Sequence, residues 1–114
     1  MLLVKNANYN GNGVDILSLD GNITMIKENI ENYYGLEEID LKGKRVFPSL
    51  IDGHVHVTGG GGEMGPTSRV PEIKYEDIIM AGVTTLVGLL GTDSTTRSVE
   101  NLVSKVKALN EYNV

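Results

Sequence analysis

Hydrophobic and polar positions alternate along the first part of the chain and then run together. Leu2 and Val4 share one side of a period of two, which predicts a first strand over Met1 to Asn8. Val14 and Ile16 alternate against Asp15, Leu17 and Leu19 in a second strand, Val14 to Leu19. Ile23 and Met25 alternate against Thr24 and Ile26 in a third, Ile23 to Ile30. Between them, Asn10-Gly11-Asn12-Gly13 and Asp20-Gly21-Asn22 offer residues that tolerate positive φ, as hairpin turns require. Asn32 to Glu38, broken by Gly35, reads as a loop or a single helical turn. Glu37 to Leu41 adds a short strand, and Lys42-Gly43-Lys44 turns the chain. Several short strands at close spacing predict a small β-sheet or half of a β-sandwich.

The pattern changes after Lys44. Arg45 to Val57 reads as one nearly continuous apolar strand, as expected when both faces are buried. Glu63 to Val70 is a polar loop with Gly and Pro. Pro71 opens a predicted helix over Glu72 to Ala81, with Ile73, Ile78 and Ile79 as its apolar set and Gly82 as its C-terminal glycine. Val83 to Leu90 is a second buried strand, left through the loop Gly91-Thr92-Asp93-Ser94. Ser98 caps a second helix, Val99 to Asn110, in which Val99, Leu102, Val103, Val106 and Leu109 recur at helical spacing. Strand, helix, strand, helix is a β/α pattern with a parallel sheet. The expected division is therefore a β-sandwich segment over residues 1–44 and two β/α units over residues 45–114. Two such units cannot bury their own strands, and the sequence stops where a third strand would follow. This predicts the front end of a longer polypeptide.

The chemistry concentrates where the first buried strand ends. Asp52-Gly53-His54-Val55-His56 is followed by Val57, Thr58, four glycines and Glu63. Side chains i and i+2 of a strand point the same way, so His54 and His56 project together and Val55 faces the opposite, packed side. Neutral imidazole is a good zinc ligand. The bare spacing does not separate a ligand pair from two ordinary histidines. The position does more, because barrel enzymes place their chemistry at the C-terminal ends of strands. No other histidine occurs in the chain. The glycines have no Cβ and let the backbone approach a ligand closely. Asp52 reads as structural, and Arg69 and Arg97 read as surface or local ion-pair residues.

Composition narrows the class. At 114 residues the chain is long enough for one modest domain. A net charge of -5 argues against a nucleic-acid or anionic-membrane surface. There is no cysteine, hence no disulfide and no thiolate ligand. The N-terminus turns polar too early for a signal peptide, and no apolar run approaches a membrane span. A cytoplasmic protein is expected.

An apolar strand ending in Asp52-x-His54-x-His56 after a small β-region resembles the amidohydrolase superfamily. The segments Gly59-Gly60-Gly61-Gly62-Glu63, Ala81-Gly82-Val83-Thr84 and Gly88-Leu89-Leu90-Gly91-Thr92-Asp93 narrow the resemblance to the isoaspartyl (β-aspartyl) dipeptidases. That resemblance implies a metal-dependent (β/α)8 (TIM) barrel beside a β-sandwich, incomplete in this chain. It implies hydrolysis of small isoaspartyl dipeptides with two zinc ions. His54 and His56 would bind metal, Glu63 would receive the substrate's α-amino group, Gly61 and Gly62 would approach its aspartyl portion, and Thr92 would bond its carboxylate. The catalytic residues are expected on later strands, so the 114-residue chain alone is expected to be inactive. Ser49 stands where the superfamily usually has glycine. Self-association into a homo-oligomer is expected. The alternatives are a catalytically incomplete fragment that folds by self-association, and a cyclic amide hydrolase of the dihydroorotase or hydantoinase type.

Overall fold

The computed structural model describes residues 1–93 and 95–114; Ser94, which ends the loop expected at 91–94, lies outside the described residues. The chain divides into two units, Met1–Pro48 and Ser49–Val114.

The first unit is a mixed sheet of β1 (Leu2–Tyr9), β2 (Asn12–Leu19), β3 (Asn22–Lys27), β4 (Glu37–Asp40) and β5 (Arg45–Val46). The order is β3-β2-β1-β4, and β5 also pairs with β1. β1, β2 and β3 are antiparallel neighbours, whereas β4 and β5 run parallel to β1. Both hairpins turn as their sequences require: φ is 51° and 87° at Asn10-Gly11, and 49° and 79° at Asp20-Gly21. Leu3, Ala7 and Ile30 form the buried apolar positions. A register shift between Val4 and Ala7 brings Lys5 and Asn6 onto Asp15. The third strand ends at Lys27, earlier than expected. Asn29 turns at φ 50°, and the Ile30 N–H donates to Asp15 Oδ2 at 2.8 Å instead of to a strand.

The second unit is β6 (Leu50–Val55), α1 (Tyr75–Met80), β7 (Val83–Gly88) and α2 (Val99–Glu111). β6 and β7 are parallel. Val57, Ile78 and Leu109 are buried, with Val55, Val83, Leu86, Leu102 and Val106 packed against them. Tyr75 stacks on Tyr112 at 4.9 Å between ring centroids.

The second half of the chain also differs from the sequence reading. The strand expected over Arg45 to Val57 is two strands in two sheets, because Pro48 lacks an N–H and restrains the residue before it. β6 and β7 are not buried on both faces: Leu50, Ile51 and Val87 are more than half exposed, because the helices cover one side only. The first helix begins at Tyr75 rather than Glu72. The Ile73 N–H donates to Val57 O at 3.3 Å, which ties the preceding segment to the loop after β6 and leaves Lys74 extended. Among the described residues no helix is long and apolar enough to cross a membrane.

Candidate functional site

His54 lies in β6 and His56 just beyond its end. Val55 packs into the core, so the two imidazoles share the other, exposed side. Their ring centroids are 5.2 Å apart with planes tilted by 47°. The Nε2 atoms face each other at 3.3 Å. Zinc holds imidazole nitrogen at about 2.0–2.1 Å in tetrahedral geometry, which sets two ligand nitrogens about 3.4 Å apart. The pair therefore fits two corners of such a site. Among the described residues, no cluster of three or more His, Cys, Asp or Glu side chains is placed to hold a metal ion. Asp52 Oδ1 accepts the His54 N–H at 3.0 Å, a local contact of the kind its expected structural role requires. A Cβ at Gly60 or at Gly91 would lie 3.3 Å from His56 Nδ1, so both glycines leave room for that ring.

The glycine run has a second use that its sequence does not reveal. Gly59 and Gly61 have φ of 88° and 69°, and a Cβ on them would meet Val70 O at 2.2 Å and Ser68 O at 2.3 Å. These two residues approach their own chain, not only a ligand. Ser68 organises the far side of the loop. Its Oγ accepts the N–H groups of Gly62 and Met64 at 3.2 and 3.3 Å and donates to Gly65 O at 2.8 Å. Gly62 and Glu63 then reach a cavity of about 330 Å³, lined also by Arg69, Thr92, Asp93 and Thr96. Gly61 instead lines a neighbouring crevice with His56. The two recesses share no lining residue, so His56 and the Glu63–Thr92 group border separate recesses, and His54 lines neither.

Thr92 Oγ1 donates to Glu63 Oε1. That hydrogen bond is the first reason the Glu63 carboxyl sits below its ordinary range; its own backbone N–H and the charges of Arg97 and His56 act in the same direction. An ionised carboxylate beside a hydroxyl suits an ammonium-bearing ligand.

Sequence reasoning missed the network behind this pair. Asp93 accepts from Thr96 Oγ1 and from the N–H groups of Thr95 and Thr96, both at 3.0 Å. It also pairs with Arg69 Nε at 3.1 Å and Arg97 Nη1 at 3.2 Å. The Thr96 hydroxyl, then the Thr96 amide, hold the Asp93 carboxyl down at about 2. Arg69 and Arg97 are thus the local ion-pair residues expected of them, but Arg97 is not at the surface: only 7% of it is exposed. Its Nε donates to Thr58 O and its Nη2 to Val70 O, each at 2.9 Å. Asp93 and Arg97 are four residues apart but precede α2, where that spacing does not by itself bring side chains together, so no sequence signal marks their contact.

No family model matches the chain. It is 32% identical to a dihydroorotase of Listeria monocytogenes, an alignment covering 97% of this chain and 26% of that protein. It is 33% identical to an imidazolonepropionase of Staphylococcus aureus, covering 84% of this chain and 23% of that one. Among solved structures, it superposes on a β-aspartyl dipeptidase of Fervidobacterium islandicum AW-1 with a TM-score of 0.84 and 40% identity, over 96% of this chain and 32% of the other. A second structure of that enzyme, in complex with β-Asp-Leu dipeptide, gives 0.83 and 41% over 96% and 30%. The chain thus spans about a quarter of the curated relatives and about a third of the solved ones. The relatives define a class, the hydrolases of the amidohydrolase superfamily. Within that class the chain resembles the N-terminal portion of the β-aspartyl dipeptidases.

Proposed function

We propose that this chain supplies the N-terminal portion of a zinc-dependent β-aspartyl dipeptidase acting on small isoaspartyl dipeptides. The first sheet is the sandwich segment, and β6-α1-β7-α2 are the first two units of a (β/α)8 barrel. The convergence of the two Nε2 atoms at 3.3 Å carries the reading, in a chain 41% identical to a β-aspartyl dipeptidase solved with β-Asp-Leu.

His54 and His56 hold one of two zinc ions. Zinc, when bound, activates water and polarises a carbonyl. Glu63 receives the substrate's α-ammonium through a charge-assisted hydrogen bond. Thr92 turns its hydroxyl from Glu63 to the substrate carboxylate. Gly61 and Gly62 present backbone to the aspartyl portion. The remaining ligands and the proton-transferring groups come from chain beyond this segment. A cytoplasmic homo-oligomer belongs to the same proposal.

The dihydroorotase relative favours a second reading, a cyclic amide hydrolase. Glu63 argues against it, because a cyclic amide offers no ammonium for that carboxylate. The test is to offer β-Asp-Leu and dihydroorotate to the zinc-loaded protein in its longest natural form. Hydrolysis of β-Asp-Leu alone, abolished by a chelator and by His54→Ala, is the expected result. Turnover of dihydroorotate alone would establish the second reading. Turnover of neither would leave the self-associating, catalytically incomplete chain.

A further inference from the structure

Two loops carry the proposed substrate contacts; the first is closed on itself by a Gly61–Arg69 bridge and a single 3-10 turn over Pro66–Ser68, but no strand or helix ties it to the second. Gly62 and Glu63 lie on the loop between β6 and α1, and Thr92 lies on the loop after β7. One buried guanidinium spans both. Arg97 binds the carbonyls of Thr58 and Val70, which flank the glycine loop, and reaches Asp93, the neighbour of Thr92. Arg69 reaches Asp93 from the glycine loop itself and Thr96 through its Nη2 at 2.7 Å. A Cβ on Gly62 would lie 3.6 Å from both Arg69 Cγ and Asp93 Cβ, so Gly62 is held inside this clamp.

We propose that Asp93, gripped by Arg69 and Arg97, is a positioning residue that fixes Gly62 and Glu63 against Thr92. The inference rests on the dipeptidase reading for the identity of the ligand, but not for the positioning itself. The chemistry of the parts fits. Arg presents five N–H donors in a planar fork, which can serve two carbonyls and a carboxylate at once. Lysine carries the same charge as a single point and cannot span the three acceptors. The three arms of Arg97 lie on two different loops. A surface ion pair, by contrast, would fix little.

The test has two readouts. In NMR spectra of the chain, wild type is expected to show a cross-peak between the Glu63 side chain and the Thr92 methyl. Arg97→Lys and Asp93→Asn are expected to lose it while keeping the cross-peaks of the Val57–Ile78–Leu109 core. Arg69→Lys, at the more exposed guanidinium, weakens it without risk to the fold and decides the matter if Arg97→Lys does not fold. In the assay on the longest natural form, the same variants are expected to lower kcat/KM for β-Asp-Leu by on the order of tenfold to a hundredfold, as small misplacements of binding groups do, mainly through KM. A cross-peak that survives in all three variants overturns the inference, whatever the assay shows. Wild type that leaves β-Asp-Leu intact sinks the dipeptidase reading, while the NMR result still decides the positioning role.

Discussion

At Asp15 the chain buries a carboxylate in a strand whose alternation predicts a side but not a partner. Only 4% of the residue is exposed. Burial raises its carboxyl, but the Lys5 ammonium at 2.6 Å and the N–H groups of Ile30 and Asn6 outweigh it, so its pKa lies below the ordinary value. A carboxyl depressed in the folded state stabilises above its unfolded pKa, 3.8, and that contribution is lost as pH falls through the folded value. Asp15→Asn is therefore expected to cost about 1–3 kcal/mol at pH 7, because it leaves buried donors poorly matched. The difference from wild type should close below about pH 4 in paired thermal melts. A gap that stays constant down to pH 2 would contradict this. The same scale shows what could be read in advance. The facing of His54 and His56 follows from the period of a strand alone. The Glu63–Thr92 contact and the buried Arg97 do not, since both join loops far apart in sequence.

Among the elements, the two hairpins were legible because Asn10-Gly11 and Asp20-Gly21 supply the φ > 0 pairs that tight turns demand. The second helix was legible for a similar local reason: Ser98 accepts the Asn101 N–H at 3.2 Å from an extended conformation. Ser98→Ala is expected to cost about 1 kcal/mol and to lower the Tm of the second unit by about 4–8 °C in a calorimetric scan. An unchanged Tm would mean that packing of Leu102, Val106 and Leu109 alone fixes the start of α2. The first helix was misplaced because nothing local marks its start. Lys74 makes no side-chain cap, and a long-range bond to Val57 O holds Ile73 out of the helix. The strand expected over 45–57 divides for the opposite reason, a local one: Pro48 interrupts the apolar run.

The whole molecule consists of a mixed β-sheet unit and a β/α unit whose parallel strands keep one side open. Leu50, Ile51 and Val87 lie exposed on those strands, which agrees with similarity to only about a third of each β-aspartyl dipeptidase structure. The end of β6 is where the chemistry gathers: two imidazoles, a glycine loop, and a carboxylate kept ionised by a neighbouring hydroxyl. At the scale of the molecule, the proposed hydrolytic chemistry depends on those imidazoles acting as one ligand pair. The most direct measurement is a zinc titration followed by the ¹⁵N resonances of the imidazole rings, simplified because the chain has no other histidine. The expected result is a single transition in which the Nε2 signals of His54 and His56 shift together, and which disappears at His56 in the His54→Ala variant. Signals that respond separately, or not at all, would contradict a shared metal and with it the proposed chemistry.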